Sequence, residues 1–278
     1  MKEVFNTNFD INSDMCISLL DELPLWSAPF GLKLLDKIKF RKGITAIDIG
    51  FGTGFPFTEL AMRLGNTCKV IGIDPWEAAI KRTIKKINFY GIKNTDVIEG
   101  SAENIPLDNS SVDLIVSNNG LNNVGDLDQA LSECSRIIRS RGQFIQTINL
   151  DSTMFEFYEI FGELLKELDM ISELQDMKKH IYAKRKPLDE FLKRIQDKDF
   201  LITEVKKDKF EYKFIDGTAM LNHYFIRLAF LVEWKKIIPD EKQYQIFKEL
   251  ELRMNSKAAA DGLFKLTVPF VVIDCEKK

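Results

Sequence analysis

The sequence has few of the residues that build metal and disulfide sites. Its 278 residues include only four cysteines and two histidines, and no cysteines form a CxxC pair. A structural zinc site usually needs four such ligands in closely spaced pairs, so the sequence predicts no metal centre and four reduced, buried thiols. The four cysteines are Cys16, Cys68, Cys134 and Cys275.

Long apolar runs and an excess of basic residues are also missing. No stretch approaches the roughly 18 apolar residues of a membrane span. The first residues, MKEVFNTNFDINSD, lack the cationic end and apolar run of a secretory signal. The net charge is -3, whereas a dedicated nucleic-acid binder typically has a basic excess. We therefore expect a cytoplasmic protein with no membrane span and no nucleic-acid partner.

Short apolar runs alternate with helix-like segments up to residue 150. Strands are predicted at 44–49, 69–73, 96–98, 112–117 and 143–148. This alternation predicts parallel strands with crossover helices on both faces of the sheet. Two more strand-like segments, near 201–214 and 263–275, are separated by helical sequence and predict an antiparallel edge hairpin.

The segment Asp48-Ile49-Gly50-Phe51-Gly52-Thr53-Gly54 directly follows the first predicted strand and precedes a helix. Glycine allows unusual backbone torsions and lets a ligand approach where a Cβ would block it. Ligands of open α/β sheets bind at the carboxyl ends of the strands, where this turn lies. A dinucleotide fingerprint, G-x-G-x-x-G, would need a third glycine at position 55 or 57, and both positions are phenylalanine.

The pattern Asp48-x-Gly50-x-Gly52-x-Gly54 resembles motif I of the class I S-adenosylmethionine-dependent methyltransferases. Three further segments follow in that family's order, so the resemblance covers roughly residues 44–150. Residues 70–74 are similar to the second strand, which ends in the acid that binds the ribose hydroxyls. Residues 100–107 are similar to the segment that holds the adenine, and 111–118 to the fourth strand. The ubiquinone/menaquinone-biosynthesis-like branch of small-molecule methyltransferases is the most similar.

This resemblance implies S-adenosylmethionine as cofactor, S-adenosylhomocysteine as its product, and a set of cofactor-binding residues. Asp74 would accept hydrogen bonds from the ribose diol, and Trp76 would cover an adenine face. Asp48 would order the glycine loop and help neutralise the cationic end of the cofactor. Ser101 stands where the family usually has aspartate, and it is a weaker acceptor for the adenine amine. The predicted set is Asp48, Gly50, Gly52, Gly54, Asp74, Pro75, Trp76, Ser101, Ala102, Glu103, Asn118 and Asn119.

Several of these residues also have a purely structural interpretation. Asp74 can cap a helix that begins near Trp76, since aspartate is a favoured capping residue. Asp48 can hydrogen-bond the glycine backbone. The asparagine-rich segment 118–124 can hold a polar group of substrate or cofactor, or can be an ordinary turn. The sequence leaves both interpretations open in each case.

Aromatic residues after position 150 recur at helical spacing, near 155–161 and 225–234. Most such stripes belong to a protein core, but these stripes can also roof a dry, apolar pocket. The candidate substrate-pocket residues are Trp26, Phe30, Asn122, Asn123 and Tyr224. His223 is the candidate general base, and its structural alternative is an ordinary histidine among apolar residues.

The predicted fold class is therefore α/β, with a doubly wound, mostly parallel, seven-stranded Rossmann-like sheet, an antiparallel edge hairpin and a helical lid. Residues 1–40 form an N-terminal helical cover, 41–150 the cofactor-binding α/β core, and 151–278 complete the sheet. Lid insertions are expected near 153–182 and 218–260.

The predicted function is methyl transfer to a small, apolar or aromatic acceptor by in-line displacement in a lidded pocket. An NAD-dependent oxidoreductase and a non-catalytic S-adenosylmethionine-binding module are the alternatives. The sequence carries no signal for the acceptor atom or the oligomeric state.

Overall fold

The computed structural model describes residues 9–22 and 25–278. Its strands are β1 Thr45–Ile49, β2 Lys69–Asp74, β3 Thr95–Glu99, β4 Val112–Asn118, β5 Ile138–Asn149, β6 Phe200–Phe214 and β7 Phe264–Lys277. These strands form one seven-stranded sheet in the order β3-β2-β1-β4-β5-β7-β6.

Helices surround the strands in the chain order that the sequence predicts. They are α1 Asp14–Glu22, α2 Ser27–Leu35, α3 Phe57–Leu64, α4 Glu77–Tyr90, α5 Leu127–Ile137, α6 Phe155–Glu167, α7 Ile171–Lys184, α8 Leu188–Gln196, α9 Gly217–Asn222, α10 Tyr224–Ile226, α11 Val232–Lys236 and α12 Asp240–Asp261. A 3₁₀ turn covers Leu121–Asn123, and a π-helical turn covers Arg227–Leu231. No helix within the described ranges is both long and apolar enough to cross a membrane.

Strands β1 to β5 are parallel where they pair, and β7 runs antiparallel to β5. The chain winds outward from β1 to β3 on one side and from β4 on the other, so the order reverses between β1 and β4. In open α/β sheets, the crevice outside the carboxyl ends at such a reversal is where ligands bind. The predicted fold class is confirmed.

The burial of the strands explains why their sequences differ. In β1, the last four of five residues are buried, and the strand lies inside the sheet between β2 and β4. The edge strand β6 exposes much of its length and carries charged residues, which discourage pairing with another chain. The four cysteines are free and buried, as predicted.

The described chain divides into two compact units. One, which we call the sheet unit, contains residues 11–149, 186–208 and 270–278. The other, the helical unit, contains residues 9–10, 150–185 and 209–269 of the described chain.

The helical sequence near 153–182 forms two helices, because the chain breaks between α6 and α7. Asp169 adopts a left-handed conformation with φ of 53°. The Met170 N–H donates to the Leu165 carbonyl, and Met170 is buried. This is the hydrogen-bond pattern of a Schellman helix end, here with aspartate instead of the more usual glycine.

The helical segment predicted over 218–260 is also interrupted. A turn at His223, the π-helical turn and the segment ahead of Asp240 divide it into shorter helices. Pro239 precedes the first residue of α12, where its missing N–H costs nothing and its fixed φ favours the helix start.

Candidate active site

A cleft of about 480 Å³ lies in the sheet unit, at the carboxyl ends of β1, β2 and β3 and beside the turn after β4. Its volume falls within the roughly 300–1,000 Å³ of typical ligand pockets. The cleft is lined by Ile49, Gly50, Gly52, Ile73, Asp74, Pro75, Trp76, Gly100, Ser101, Ala102, Glu103, Gly120, Asn123, Val124 and Gly125. The structure therefore brings together the glycine loop, the end of β2 and the segment after β3.

The three glycines of the loop are needed for different structural reasons. A Cβ on Gly50 would lie 2.7 Å from the Cα of Gly120, so these two turns pack backbone against backbone. A Cβ on Gly54 would lie 3.0 Å from the hydroxyl oxygen of Thr83. A Cβ on Gly52 would meet nothing within 4 Å, and Gly52 lines the cleft. Gly52 is thus the position where bare backbone is offered to a ligand.

Side chains of α4 hold the loop in place. The Thr83 hydroxyl donates to the Gly52 carbonyl at 3.1 Å, and the Lys86 ammonium donates to the Thr53 carbonyl at 2.8 Å. Lys86 and Arg82 also bind Asp21 of α1, at 2.7 and 2.9 Å. Both cations anchor α1 through the same carboxylate.

Asp74 ends β2 and is only 6% exposed. One carboxylate oxygen accepts the N–H of Gly52 and the other accepts the N–H of Trp76, both at 2.8 Å. A carboxylate has about four lone-pair sites, so about two remain for a ligand in the cleft. Burial raises its pKa, and the two backbone hydrogen bonds oppose that rise. Asp74 bonds Trp76 at the start of α4 and still has the capacity to bind a diol.

Trp76 forms one wall of the cleft, next to Pro75. Its indole N–H donates to the side-chain oxygen of Asn12 at 3.0 Å, which fixes the position of the ring. Sequence reasoning missed Asn12, Thr83 and Lys86, because each lies between 31 and 64 positions from the residue that it holds and nothing local marks it.

The segment after β3 forms the opposite wall. The Ser101 hydroxyl donates to Glu103, and the Glu103 N–H donates back to the Ser101 oxygen at 3.1 Å. The other Glu103 oxygen accepts the N–H groups of Gly125 and Asp126, at 2.8 and 3.1 Å. Burial raises the pKa of Glu103, but these hydrogen bonds together lower it by more, so the net shift is downward. The ionised Glu103 ties two walls of the cleft together.

The asparagine-rich segment forms an internal amide network. Asn119 accepts a hydrogen bond from the Asn122 amide at 3.0 Å, and Asn122 also donates to Asn149 at 2.7 Å. Asn118 donates to the Ser27 carbonyl at 3.0 Å and accepts from Thr147. Asn123 is the asparagine of this segment that lines the cleft, together with Gly120 and Val124. Asn118, Asn119 and Asn122 are outside its lining, so their roles toward cofactor or substrate stay predictions.

Asp48 is fully buried, and neither of its carboxyl oxygens has a hydrogen-bond partner in the described chain. Its pKa is raised well above the ordinary value, first by burial and second by the charge of Asp74. The hydrogen bond to the glycine backbone, the structural alternative, is not made by the described residues. Asp48 and Gly54 lie outside the cleft lining, so their roles toward the cofactor stay predictions. A buried, unpartnered acid beside the loop fits a ligand that carries a cationic group.

We expect the ligand-free Asp48→Asn variant to gain stability relative to wild type as the pH rises. The folded-state pKa of Asp48 lies above its unfolded value, so wild-type stability falls as pH rises between the two. Within that window the advantage of the variant grows by about 1.4 kcal/mol per pH unit. Urea unfolding from pH 4.5 to 8 measures it. The exposed Asp36→Asn variant controls for net charge, and a pH-independent difference would contradict the prediction.

The remaining predicted residues lie in two places. In the sheet unit, Trp26 is half-buried and Phe30 is fully buried, its ring 5.2 Å from Trp26 and 4.8 Å from Phe270. In the helical unit, Tyr224 packs its ring edge-on to Phe9 at 5.7 Å. His223 lies 5.4 Å from Phe214, and its buried Nδ1 has no partner among the described residues. Burial lowers the pKa of His223, so the ring is neutral at pH 7.

Comparison with known proteins identifies the family. A model of the methyltransferase domain family matches residues 40–218. The chain belongs to this family. The demethylmenaquinone methyltransferase of Geobacillus kaustophilus is 26% identical over 185 residues, or 62% of this chain and 77% of that protein. The ubiquinone/menaquinone biosynthesis C-methyltransferase of Escherichia coli O1:K1 is 31% identical over 106 residues, or 38% of this chain and 42% of that protein.

A solved structure extends the similarity of fold beyond the matched domain. The geranyl diphosphate C-methyltransferase of Streptomyces coelicolor, in complex with S-adenosyl-L-homocysteine, gives a TM-score of 0.56 at 14% identity. The match covers 97% of this chain and 86% of that one. The predicted resemblance to class I methyltransferases of the ubiquinone/menaquinone type is confirmed. The chain is an S-adenosylmethionine-dependent methyltransferase, and the oxidoreductase and non-catalytic alternatives are set aside.

Proposed function

We propose that this methyltransferase transfers the methyl group of S-adenosylmethionine to a small, apolar or aromatic acceptor of the quinone type. The proposed acceptor class is supported by the names of similar proteins, since the Geobacillus kaustophilus relative is a demethylmenaquinone methyltransferase. The geometry of the cleft and of the buried acid near it supports the cofactor half of the proposal. In the cleft, Gly52 presents bare backbone and Asp74 has spare acceptor capacity. Asp48, next to the glycine loop in the sequence, is buried with no hydrogen-bond partner among the described residues.

In this proposal, each group of the cleft has a separate task. Asp74 accepts the ribose hydroxyls, Trp76 and Pro75 cover the adenine, and Ser101 and Ala102 border its edge. Asp48 counters the positive charge at the other end of the cofactor. Gly52 allows the closest approach of the backbone, while Gly50 and Gly54 let the loop pack tightly behind it. Glu103 keeps the adenine walls together through Gly125 and Asp126.

The bound cofactor supplies an activated methyl group on a sulfonium centre, so the protein needs to orient the acceptor in line and exclude water. Positioning of that kind accounts for about 7–11 kcal/mol of a barrier. We propose that the helical segments near 153–182 and 218–260 act as the lid that excludes water. The aromatic residues of the helical unit support a rigid lid, because Phe157 stacks on Trp234 at 3.9 Å and both are fully buried.

The acceptor class is tested with methyl-labelled S-adenosylmethionine and a panel of acceptors. The panel contains demethylated quinones, reduced quinols and simple phenols on one side, and amino acids and a peptide on the other. We expect labelled product from the first group and none from the second, measured by liquid chromatography and mass spectrometry. Transfer only to the polar group would overturn the proposed acceptor class. Asp74→Ala serves as the matched control with impaired cofactor binding.

We further propose His223 as the general base for acceptors that lose a proton. A general base typically accelerates a reaction by about 10²–10⁴-fold. We therefore expect His223→Gln to lower kcat by about 100-fold or more, with an unchanged Kd for the cofactor. Since burial lowers its pKa below 6.5, wild-type activity should be flat above pH 6.5 and fall below it. The variant should lose that acidic limb. A pH profile of the variant that matches wild type would remove His223 from the mechanism.

A further inference from the structure

The helical unit contains a buried cation that lacks a counter-charge. Arg185 is only 6% exposed, and its Nε and Nη1 atoms have no hydrogen-bond partner in the described chain. No ion pair joins Arg185 to any described carboxylate, although twenty-one other ion pairs occur in the same residues. Buried charges in proteins are normally paired or bound to a ligand, because leaving them unpaired is strongly unfavourable.

The local structure compensates only part of that cost. Arg185 follows the last residue of α7, where the helix dipole favours a positive charge. Its guanidinium carbon lies 5.8 Å from the centre of the Tyr158 ring, within reach of a weak cation–π interaction. Neither contact offers a hydrogen-bond acceptor to the guanidinium. The Tyr158 hydroxyl is itself engaged, since it accepts the indole N–H of Trp234 at 2.9 Å.

The charges that act on neighbouring His180 are mostly positive. Burial is the main reason that the pKa of neighbouring His180 is lowered, and the charges of Arg185 and Lys184 lower it further. The acid that opposes them is Glu233, and its carboxylate is bound to Lys236 at 2.6 Å. Around His180, the cations Arg185 and Lys184 therefore face the single carboxylate of Glu233, which is already paired with Lys236.

We propose that Arg185 forms an anion-binding site in the helical unit, which takes the carboxylate or phosphate group of a ligand. A planar guanidinium binds either oxyanion through two parallel N–H donors, and a desolvated one does so most strongly. The site stands independently of the acceptor class proposed above, because it follows from the packing of the helical unit alone.

The test compares thermal unfolding of the whole chain in chloride with unfolding in inorganic phosphate or sodium benzoate at equal ionic strength. Phosphate or benzoate is expected to raise the wild-type Tm by about 2 °C or more at saturating concentration. Lys178→Gln removes a positive charge from the exposed face of the same helix and should keep the response. Arg185→Met keeps the length of the side chain but removes the charge, and should abolish the response.

A second readout separates an anion site from a structural role. In chloride alone, Arg185→Met should be at least as stable as wild type, because it removes an uncompensated buried charge. A structural arginine would instead give a variant with a lowered Tm in every buffer. The Nε–H resonance of Arg185, observed by nitrogen-15 NMR, should shift on titration with phosphate or benzoate. A wild-type protein without an anion response in both measurements would overturn the proposal.

Discussion

Replacing Asp74 with alanine should weaken S-adenosylmethionine binding by about 1.5–3 kcal/mol, which corresponds to roughly 10- to 150-fold in Kd. The removed carboxylate supplies two things at once. It offers its spare acceptor capacity to a ribose diol, and it holds the N–H groups of Gly52 and Trp76 at 2.8 Å. Isothermal titration with S-adenosylmethionine and S-adenosylhomocysteine measures the loss.

The control for this variant is Glu99→Gln. Glu99 lies opposite Asp74 in the register of β2 and β3, but it is exposed and does not line the cleft. Both variants lose one negative charge at the same level of the sheet, so only a contact of the Asp74 carboxylate can make them differ. Equal affinity of Asp74→Ala and wild type would remove Asp74 from the ribose assignment.

Alanine substitutions of the loop glycines should distinguish effects on stability from effects on cofactor binding. Gly50→Ala is expected to lower the free energy of unfolding by about 2–4 kcal/mol, because a Cβ there meets backbone and the positive φ is strained. In Gly52→Ala the new methyl group has open space inside the cleft. We expect about 1 kcal/mol of strain in that variant but a loss of cofactor affinity of tenfold or more.

Gly91→Ala provides the matched control for backbone strain. Gly91 is left-handed with φ of 68°, a Cβ there would also meet nothing within 4 Å, and it lies after α4, outside the cleft lining. It should lose about as much stability as Gly52→Ala, since the strain is of the same kind, and should bind S-adenosylmethionine like wild type. Urea unfolding and titration of all three variants give the comparison. A Gly52→Ala variant with wild-type affinity would show that the ligand does not approach this glycine.

Local patterns in the sequence determined the parallel sheet and the centre of the cleft. Strand runs such as 44–49 and the helix at Phe57–Leu64 are set by periodicities that act over a few residues, so their positions follow from the chain itself. The glycine loop and Asp74 are also close in sequence to the strands that place them. Because parallel strands present their carboxyl ends at one edge, these two features had to meet.

Only the tertiary structure decided which side chains pair to hold the cleft together, and which buried charged groups lack a hydrogen-bond partner among the described residues. The Asp21 carboxylate binds Arg82 and Lys86, more than 60 positions away, and Asn122 reaches Asn149. Residues of the same types occur throughout the chain, so composition and spacing do not identify which ones pair. Only the folded chain shows that both carboxyl oxygens of Asp48, and Nε and Nη1 of Arg185, are buried with no hydrogen-bond partner among the described residues. Desolvation and pairing depend on the complete surroundings of a group, and distant segments supply most of those surroundings.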